Sequence, residues 1–375
     1  MKHWSYLASI FVICLLLVNC WMPTALPTHT PAGIDTRDDI ADTEFVTDDD
    51  SSWVSPWHTA RFPFDELIYS WQIQIPEKQG FRLYLQVTLT DQETSPWLYA
   101  GYWGDVDKIT NRERPRFEHG YVAMDDLFLQ KPGLAYRFKV VDEGKENLSQ
   151  LPSLRVICIN HNPEDEQKQE FQPPAKGWPR RSYVLDIPLR LQIDSQGTPR
   201  PSRCQSAAMA SALQFFGQPL PLEDIIAWIY DTEYGYPGLW PRIIGFASQQ
   251  GYEAYIERFQ NWNDVLETLQ QGKIILCSIR LPEGKHISPP YPSIGNHIVV
   301  LNGITKDGRV VVTDSALRHN NAGYLCQWLH EDFETAWFVK AGIAMVICPP
   351  EGFQPKMVRE IPPFPRELPS GYKLR

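Results

Sequence analysis

The spacing of apolar residues changes character once along this chain, near residue 181, and one repeated pattern of packing does not account for both sides of that point. Before it, apolar and polar residues alternate. Phe81, Leu83, Leu85, Val87 and Leu89 interleave with Arg82, Tyr84, Gln86, Thr88 and Thr90, the period-2 signature of a strand with one buried face. Leu154, Val156 and Cys158 alternate likewise, and residues 136–140 and 69–73 supply further strands. No convincing amphipathic helix separates them, so short strands with turn-rich connections predict a β-sandwich of roughly one hundred residues. After residue 181 helices come first. A strand-like run, 183–189, leads through a Gly/Pro turn into an Ala-rich helix opening at Cys204, which Gly217 can terminate. Pro221 and two acids start a second helix, and residues 240–250 and 262–271 supply two more. Strands at 273–279, 297–303, 308–313 and 341–348 follow. Helices and then an antiparallel sheet make an α+β domain.

A length of 375 residues, with 43% hydrophobic residues, suits two domains plus tails. Residues 1–20 read as a signal peptide: Lys2 and His3 precede an unbroken apolar run from Ile10 to Val18 that is too short for a comfortable membrane span. Leu17-Val18-Asn19-Cys20 resembles a bacterial lipobox, so the protein is expected outside the cytoplasm. It is either a cell-envelope lipoprotein attached to the membrane through lipidated Cys20, or a soluble secreted protein. Residues 21–56, rich in Pro, Thr and Asp, read as a disordered tether, with the acids from Asp35 to Asp50 as a solvated tail. The β-sandwich then takes 57–161, a linker 162–181, the α+β domain 182–350 and a Pro-rich tail 351–375. A formal charge of −10 argues against a nucleic-acid surface.

Without Cys14 and Cys20 the chain keeps Cys158, Cys204, Cys277, Cys326 and Cys348, an odd number that leaves one thiol over. Up to two bridges are open to the others, although Cys277 and Cys348 lie in apolar runs that suit plain core residues. There is no Cys-x-x-Cys pair and no His-x-x-x-His spacing, so neither a structural zinc site nor any cofactor is expected.

Cys204 is the candidate nucleophile. It heads a helix and follows Arg203, and helix amides and a guanidinium both favour thiolate over thiol. The plainer reading is a buried thiol that only packs. A thiol nucleophile needs a base, and the base needs an orienting acceptor. His297 opens the apolar run 298–301, and Asp314 closes the next one, 310–313, after the turn Lys306-Asp307-Gly308. A hairpin of these two strands brings its open ends together and sets Asp314 beside His297. Taken singly, His297 suits a satisfied core histidine and Asp314 the cap of the next turn. His286, in a Pro-rich loop, is a second candidate for the base.

Gln192 before a Gly/Pro turn, Cys204 opening an Ala-rich helix, Gly295-Asn296-His297-Ile298-Val299-Val300 and Val311-Val312-Thr313-Asp314 together resemble the C39-like peptidases, a branch of the papain-like cysteine proteases. The resemblance covers roughly residues 183–348. It implies a papain-like fold with Cys204 as nucleophile, His297 as general base and acid, and Asp314 as orienter. Gln192 matches the family's side-chain donor to the oxyanion hole, beside the backbone amide of Cys204, and Gln196 is the alternative in the same approach. The β-rich region is similar to the N-terminal domain of some secreted bacterial members. Two positions depart from the common pattern: Gln205-Ser206 follow Cys204 where Gly-Pro or Ser-Pro is usual, and Ser315 follows Asp314 where Pro is usual.

The chain is also rich in Trp and Tyr. Trp97, Trp103, Trp228, Trp240, Trp262, Tyr230, Tyr234 and Tyr236 suit peptide or sugar contacts, although core and domain-interface positions account for most of them more simply. The loop from Asp231 to Trp240 has the composition of a cleft edge that meets substrate. The leading expectation is a thiol hydrolase of peptide bonds whose partner is a peptide or protein substrate. Its alternatives are an inactive C39-like protein whose β-sandwich binds a cell-surface glycan or protein, and a thiol acyltransferase that passes the acyl group to an amine. Neither a Gly-Lys-Ser/Thr phosphate loop nor later membrane helices accompany the domain, which argues against a fused exporter.

Overall fold

The computed structural model describes residues 34–110, 112–162, 174, 177–281, 283, 288, 290–338 and 341–364. The signal-like segment with Cys20, most of the linker and the last eleven residues lie outside them. The first region is all β: β1 (Ile34–Ile40), β2 (Val46–Asp49), β3 (Ser52–Val54), β4 (His58–Gln72), β5 (Gly80–Leu89), β6 (Leu98–Gly104), β7 (Arg116–Phe117), β8 (Gly120–Ala123), β9 (Asp126–Asp142) and β10 (Ser153–Asn160). They form a ten-stranded antiparallel network in the order β1-β10-β4-β9-β3-β2, with β5 and β8 also on β9, β6 on β5 and β7 on β8. The alternation in β5 explains its pairing. Leu83, Leu85 and Val87 stand opposite Val140, Phe138 and Tyr136 of β9, all six are buried, and such cross-strand apolar pairs are the unit that stabilises a sheet.

Residues 34–56 correct the expectation of a tether. β1 runs along β10 from Ile34↔Asn160 to Ile40↔Leu154, and β2 and β3 extend the other edge. Four of the acids that suggested a solvated tail have partners instead: Asp35 pairs with Arg258 (2.8 Å), Asp39 with Arg155 (2.6 Å) and Asp48 with Lys139 (2.8 Å), and Asp38 lies 2.9 Å from the His58 ring. Those partners lie far along the chain, so composition alone cannot show them.

The second region comprises β11 (Tyr183–Val184), α1 (Cys204–Phe215), α2 (Leu222–Ile229), β12 (Tyr230–Asp231), β13 (Tyr236–Pro237), α3 (Trp240–Gln249), β14 (Ala254–Arg258), α4 (Trp262–Gln270), β15 (Ile274–Leu281), β16 (Ile294–Ile304), β17 (Val310–Thr313), β18 (Cys326–Trp328), α5 (His330–Phe338) and β19 (Ile343–Ile347). Its sheet has the order β14-β19-β15-β16-β17-β18, with β11 on β16, and is antiparallel throughout. The fold is α+β with an all-β region before it. The run 183–189 forms only the short β11, whereas the four helices expected from periodicity are all present and α5 is added. Every residue of α1 from Ser206 to Leu213 is buried. Its alanines and serines let it sit inside the domain against β16, α2 and α3, where a helix with one apolar stripe would expose its polar face.

The C-terminal segment is not loose over its described part. Phe353 stacks edge-on against Phe215 and Phe216, with ring centroids 5.3 and 5.1 Å away, and Met357 bridges to Leu185. Cys158, Cys204, Cys277, Cys326 and Cys348 are all free thiols. No helix among the described residues is long and apolar enough to cross a membrane.

The two regions share one continuous apolar cluster, and a single buried carboxylate marks their junction. Glu233, in the turn between β12 and β13, is 0% exposed and takes four donors from the first region. They are Arg82 Nη1 (2.7 Å), Arg112 Nε (2.7 Å), the Tyr99 hydroxyl (2.5 Å) and the Ile109 amide (3.0 Å). Burial alone raises a carboxyl's pKa, but these hydrogen bonds outweigh it and hold Glu233 below its usual range. Around it Trp103 packs on Trp228 with centroids 5.6 Å apart, and Arg242 donates to the Tyr102 carbonyl (2.9 Å). Glu233→Ala leaves two guanidinium groups without their shared buried anion, and breaking a buried pair in this way costs about 3–5 kcal/mol. Urea unfolding followed by tryptophan fluorescence is expected to show a clearly lowered midpoint, and an unchanged midpoint contradicts the role of Glu233 as the junction.

Candidate active site

The site grows from the end of one hairpin and the start of one helix. β16 pairs with β17 from Ile304↔Val310 to Val300↔Thr313. The Lys306-Asp307-Gly308 turn closes it, with the Gly308 amide on the Thr305 carbonyl (3.0 Å). This register carries the chain out of β17 at Asp314 beside His297, and His297 Nε2 lies 2.8 Å from Asp314 Oδ1. Both are buried, at 3% and 0% exposure. The same carboxylate accepts from the Ala316 amide at Oδ1 (2.9 Å) and from the Tyr291 hydroxyl at Oδ2 (3.3 Å). The Tyr291 ring stands edge-on to the imidazole, 6.5 Å between centroids. Gly323 completes the holder. Its carbonyl accepts the Asp314 amide (2.8 Å), and a Cβ there would lie 2.0 Å from the Asp314 carbonyl oxygen, so the close approach requires glycine.

With Nε2 taken by Asp314, Nδ1 is the ring nitrogen left for the thiol, and Cys204 is the second group that favours the charged form of His297. Burial works against the imidazolium, but Asp314 and then Cys204 outweigh it and raise His297 from 6.5 to about 10. Cys204 itself opens α1 and is 2% exposed. A 3-10 turn, Pro201–Arg203, delivers the chain to it, and no side chain caps the helix, which leaves first-turn amides without a side-chain acceptor. Arg203 serves the site less directly than its position suggests. Its guanidinium pairs with Glu223 (2.7 Å) and donates to the Ile193 carbonyl (3.2 Å).

Gln192 is buried, and its Oε1 accepts from the Ser315 hydroxyl (2.8 Å), which ties it to the residue after Asp314. Gln196 is exposed at the tip of the turn that Asp194 closes, where Asp194 Oδ1 accepts from the amides of Gln196 (3.0 Å) and Thr198 (2.8 Å). The structure thus brings together Cys204, His297 and Asp314, joins Gln192 to them through Ser315, and leaves Gln196 in its own turn. His286 lies outside the described residues. Among the described residues no group of three or more His, Cys, Asp or Glu side chains is arranged to hold a metal ion.

Residues 184–344 match the sequence model of the Peptidase C39 like family, and residues 22–157 that of the peptidase C39 N-terminal domain. The chain belongs to the C39-like peptidases. Among curated proteins none matches it. Three solved structures resemble it at low identity. A Bacillus anthracis protein described as a C39-like peptidase has 16% identity and a TM-score of 0.35 over 45% of this chain and 98% of its own. The peptidase domain of Streptococcus ComA, a bi-functional ABC transporter, has 16% and 0.30 over 44% and 99%. A double glycine motif protease from an AMS/PCAT transporter, in complex with the leader peptide, has 15% and 0.29 over 45% and 99%.

Both departures of this C39-like peptidase from the common pattern make contacts in the site. The Cys204 thiol donates to Gln205 Oε1 (3.2 Å). The Gln205 side chain lies against Gly238, where φ is +72° and a Cβ would stand 2.7 Å from its Cγ and Cδ. Gly238 follows β13 in the loop that Glu233 anchors to the first region, so the loop expected at a cleft edge does reach the nucleophile's neighbour. Ser315, Gln205 and Tyr291 carry no periodicity or charge that would single them out as site residues. Of the aromatic residues, Trp103 and Trp262 are core, and Tyr230 is exposed.

A histidine whose pKa is raised on folding adds stability that is complete below about pH 6.5 and is lost as pH rises through about 10. Wild-type protein is therefore expected to lose urea resistance on titration across that window, and Asp314→Asn, which removes the largest stabilising partner of the imidazolium, to lose much less. Equal slopes in the two proteins contradict the buried ion pair.

Proposed function

We propose that this C39-like peptidase is an active cysteine peptidase that hydrolyses peptide bonds outside the cytoplasm, as a secreted or lipid-anchored protein. The observation that carries the catalytic reading is His297, held between Asp314 and Cys204 in a buried site with its pKa raised to about 10. Its location outside the cytoplasm rests on the signal-like N-terminus and on Cys20. With a proton held on Nδ1 of the imidazole, the Cys204 sulfur attacks the carbonyl carbon of the scissile bond. The tetrahedral oxyanion takes hydrogen bonds from the Cys204 amide and the Gln192 side-chain amide. His297 then gives its proton to the leaving nitrogen, the C–N bond breaks and a thioester remains on Cys204. Water, losing a proton to His297, attacks the thioester; the C–S bond breaks, the carboxylic acid leaves, and the free sulfur beside the protonated ring is restored. Asp314 keeps the ring's other nitrogen occupied throughout, so Nδ1 faces the sulfur. Because Gln205 contacts the buried thiol and is itself half-buried, substrate entry requires its side chain to turn away.

At about pH 5.5 an unperturbed thiol is about 0.1% ionised, so alkylation by iodoacetamide separates an activated sulfur from an ordinary one. Peptide mass spectrometry is expected to show Cys204 reacting at least ~10-fold faster than the same thiol in the urea-denatured chain, with the advantage lost in His297→Ala. A rate no higher than the denatured chain's sinks the nucleophile and leaves the domain as a binding module.

A further inference from the structure

We infer that Ser315 is a positioning residue that sets which end of the Gln192 carboxamide faces the reacting carbonyl; this rests on the reading of Gln192 as an oxyanion donor. A carboxamide has two ends of nearly the same shape and opposite function: Nε2 donates and Oε1 accepts. In an oxyanion hole only the donor end helps, because an acceptor facing the developing negative charge repels it. A half-turn of the last side-chain torsion exchanges the two, and something must prevent it.

Ser315 does so by two contacts. Its hydroxyl donates to Gln192 Oε1 (2.8 Å), and its carbonyl accepts the Gln192 amide (3.2 Å). Both residues are buried, at 4% and 6% exposure, so water does not readily replace a lost hydroxyl. Occupying Oε1 leaves both Nε2 hydrogens for other acceptors. Proline, the usual residue after the aspartate in the family pattern, has no side-chain donor, so this contact comes with the departure at Ser315. Asp314 and Ser315 are consecutive: the first holds His297 and the second holds Gln192. One segment leaving β17, pinned through the Asp314 amide on Gly323, thus positions the base and the oxyanion donor together.

Two small probes separate orientation of Gln192 from ionisation of Cys204 without needing the natural substrate. p-Nitrophenyl acetate acylates the sulfur through a tetrahedral oxyanion; iodoacetamide alkylates it without one. In the full-length protein, Ser315→Ala is expected to slow acylation about 10-fold, less than the ~100-fold typical of deleting a hole donor, while iodoacetamide reacts within about twofold of wild type. Ser315→Thr, which keeps the hydroxyl, restores acylation, and Ser315→Ala adds nothing in a Gln192→Ala background. If Gln192→Ala slows acylation and Ser315→Ala does not, the role of Ser315 fails while the hole stands. If Gln192→Ala itself acylates at the wild-type rate, the oxyanion reading of Gln192 fails and takes the inference with it. If both probes slow equally in Ser315→Ala, the residue supports the His297 holder, and orientation of Gln192 is excluded as its role. A wild-type protein that is not acylated at Cys204 overturns the nucleophile and everything built on it.

Discussion

A carboxylate and an imidazole share one hydrogen bond inside the second domain, and much of that domain is arranged around the cost of keeping them there. Charged groups taken out of water are expensive unless paired and fully hydrogen-bonded. Asp314 meets that condition through His297, Ala316 and Tyr291 at its two oxygens. The hairpin of β16 and β17 sets the pair's separation through its register, and the approach of Gly323 fixes the exit of the chain from β17. The imidazole has a ring nitrogen for Cys204 only because the other is held. An Ala-rich helix can open at that cysteine in the interior because its side chains are small enough to be buried on every side.

The first domain is not an appended module. Its Arg82, Tyr99, Ile109 and Arg112 converge on Glu233, and the loop that carries Glu233 continues through Gly238 to the side chain beside the nucleophile. A buried carboxylate with four donors tolerates little displacement, so the wall of the site next to Gln205 is held from the β-rich side. The apolar cluster common to both regions supports the same conclusion.

Residues whose signal is local were legible in the sequence. The alternation in β5, the four helices and the order Cys204, His297, Asp314 follow from period, turn chemistry and strand ends, and the hairpin needed only a Gly turn between two apolar runs. What escaped depends on distant partners. Asp35, Asp39 and Asp48 resembled a solvated tail because Arg258, Arg155 and Lys139 lie far away in sequence. Arg203 stands next to the thiol in sequence, but its guanidinium pairs with Glu223, twenty residues on. Tyr291 stands in a Pro-rich loop without periodicity, and Ser315 registered only as a departure from a pattern. Neither position announces a hydrogen bond that exists only after the strands have paired.

The central claim is that Cys204 and His297 form one chemical unit, and side-chain NMR of His297 measures it most directly. Titration of the imidazole in the full-length protein is expected to find the wild-type ring protonated up to about pH 10. The Cys204→Ala protein is expected to titrate at a lower pH, because removing the sulfur removes one of the two partners that favour the imidazolium. The same titration in both proteins would contradict the account, since it would show a histidine that answers to Asp314 alone.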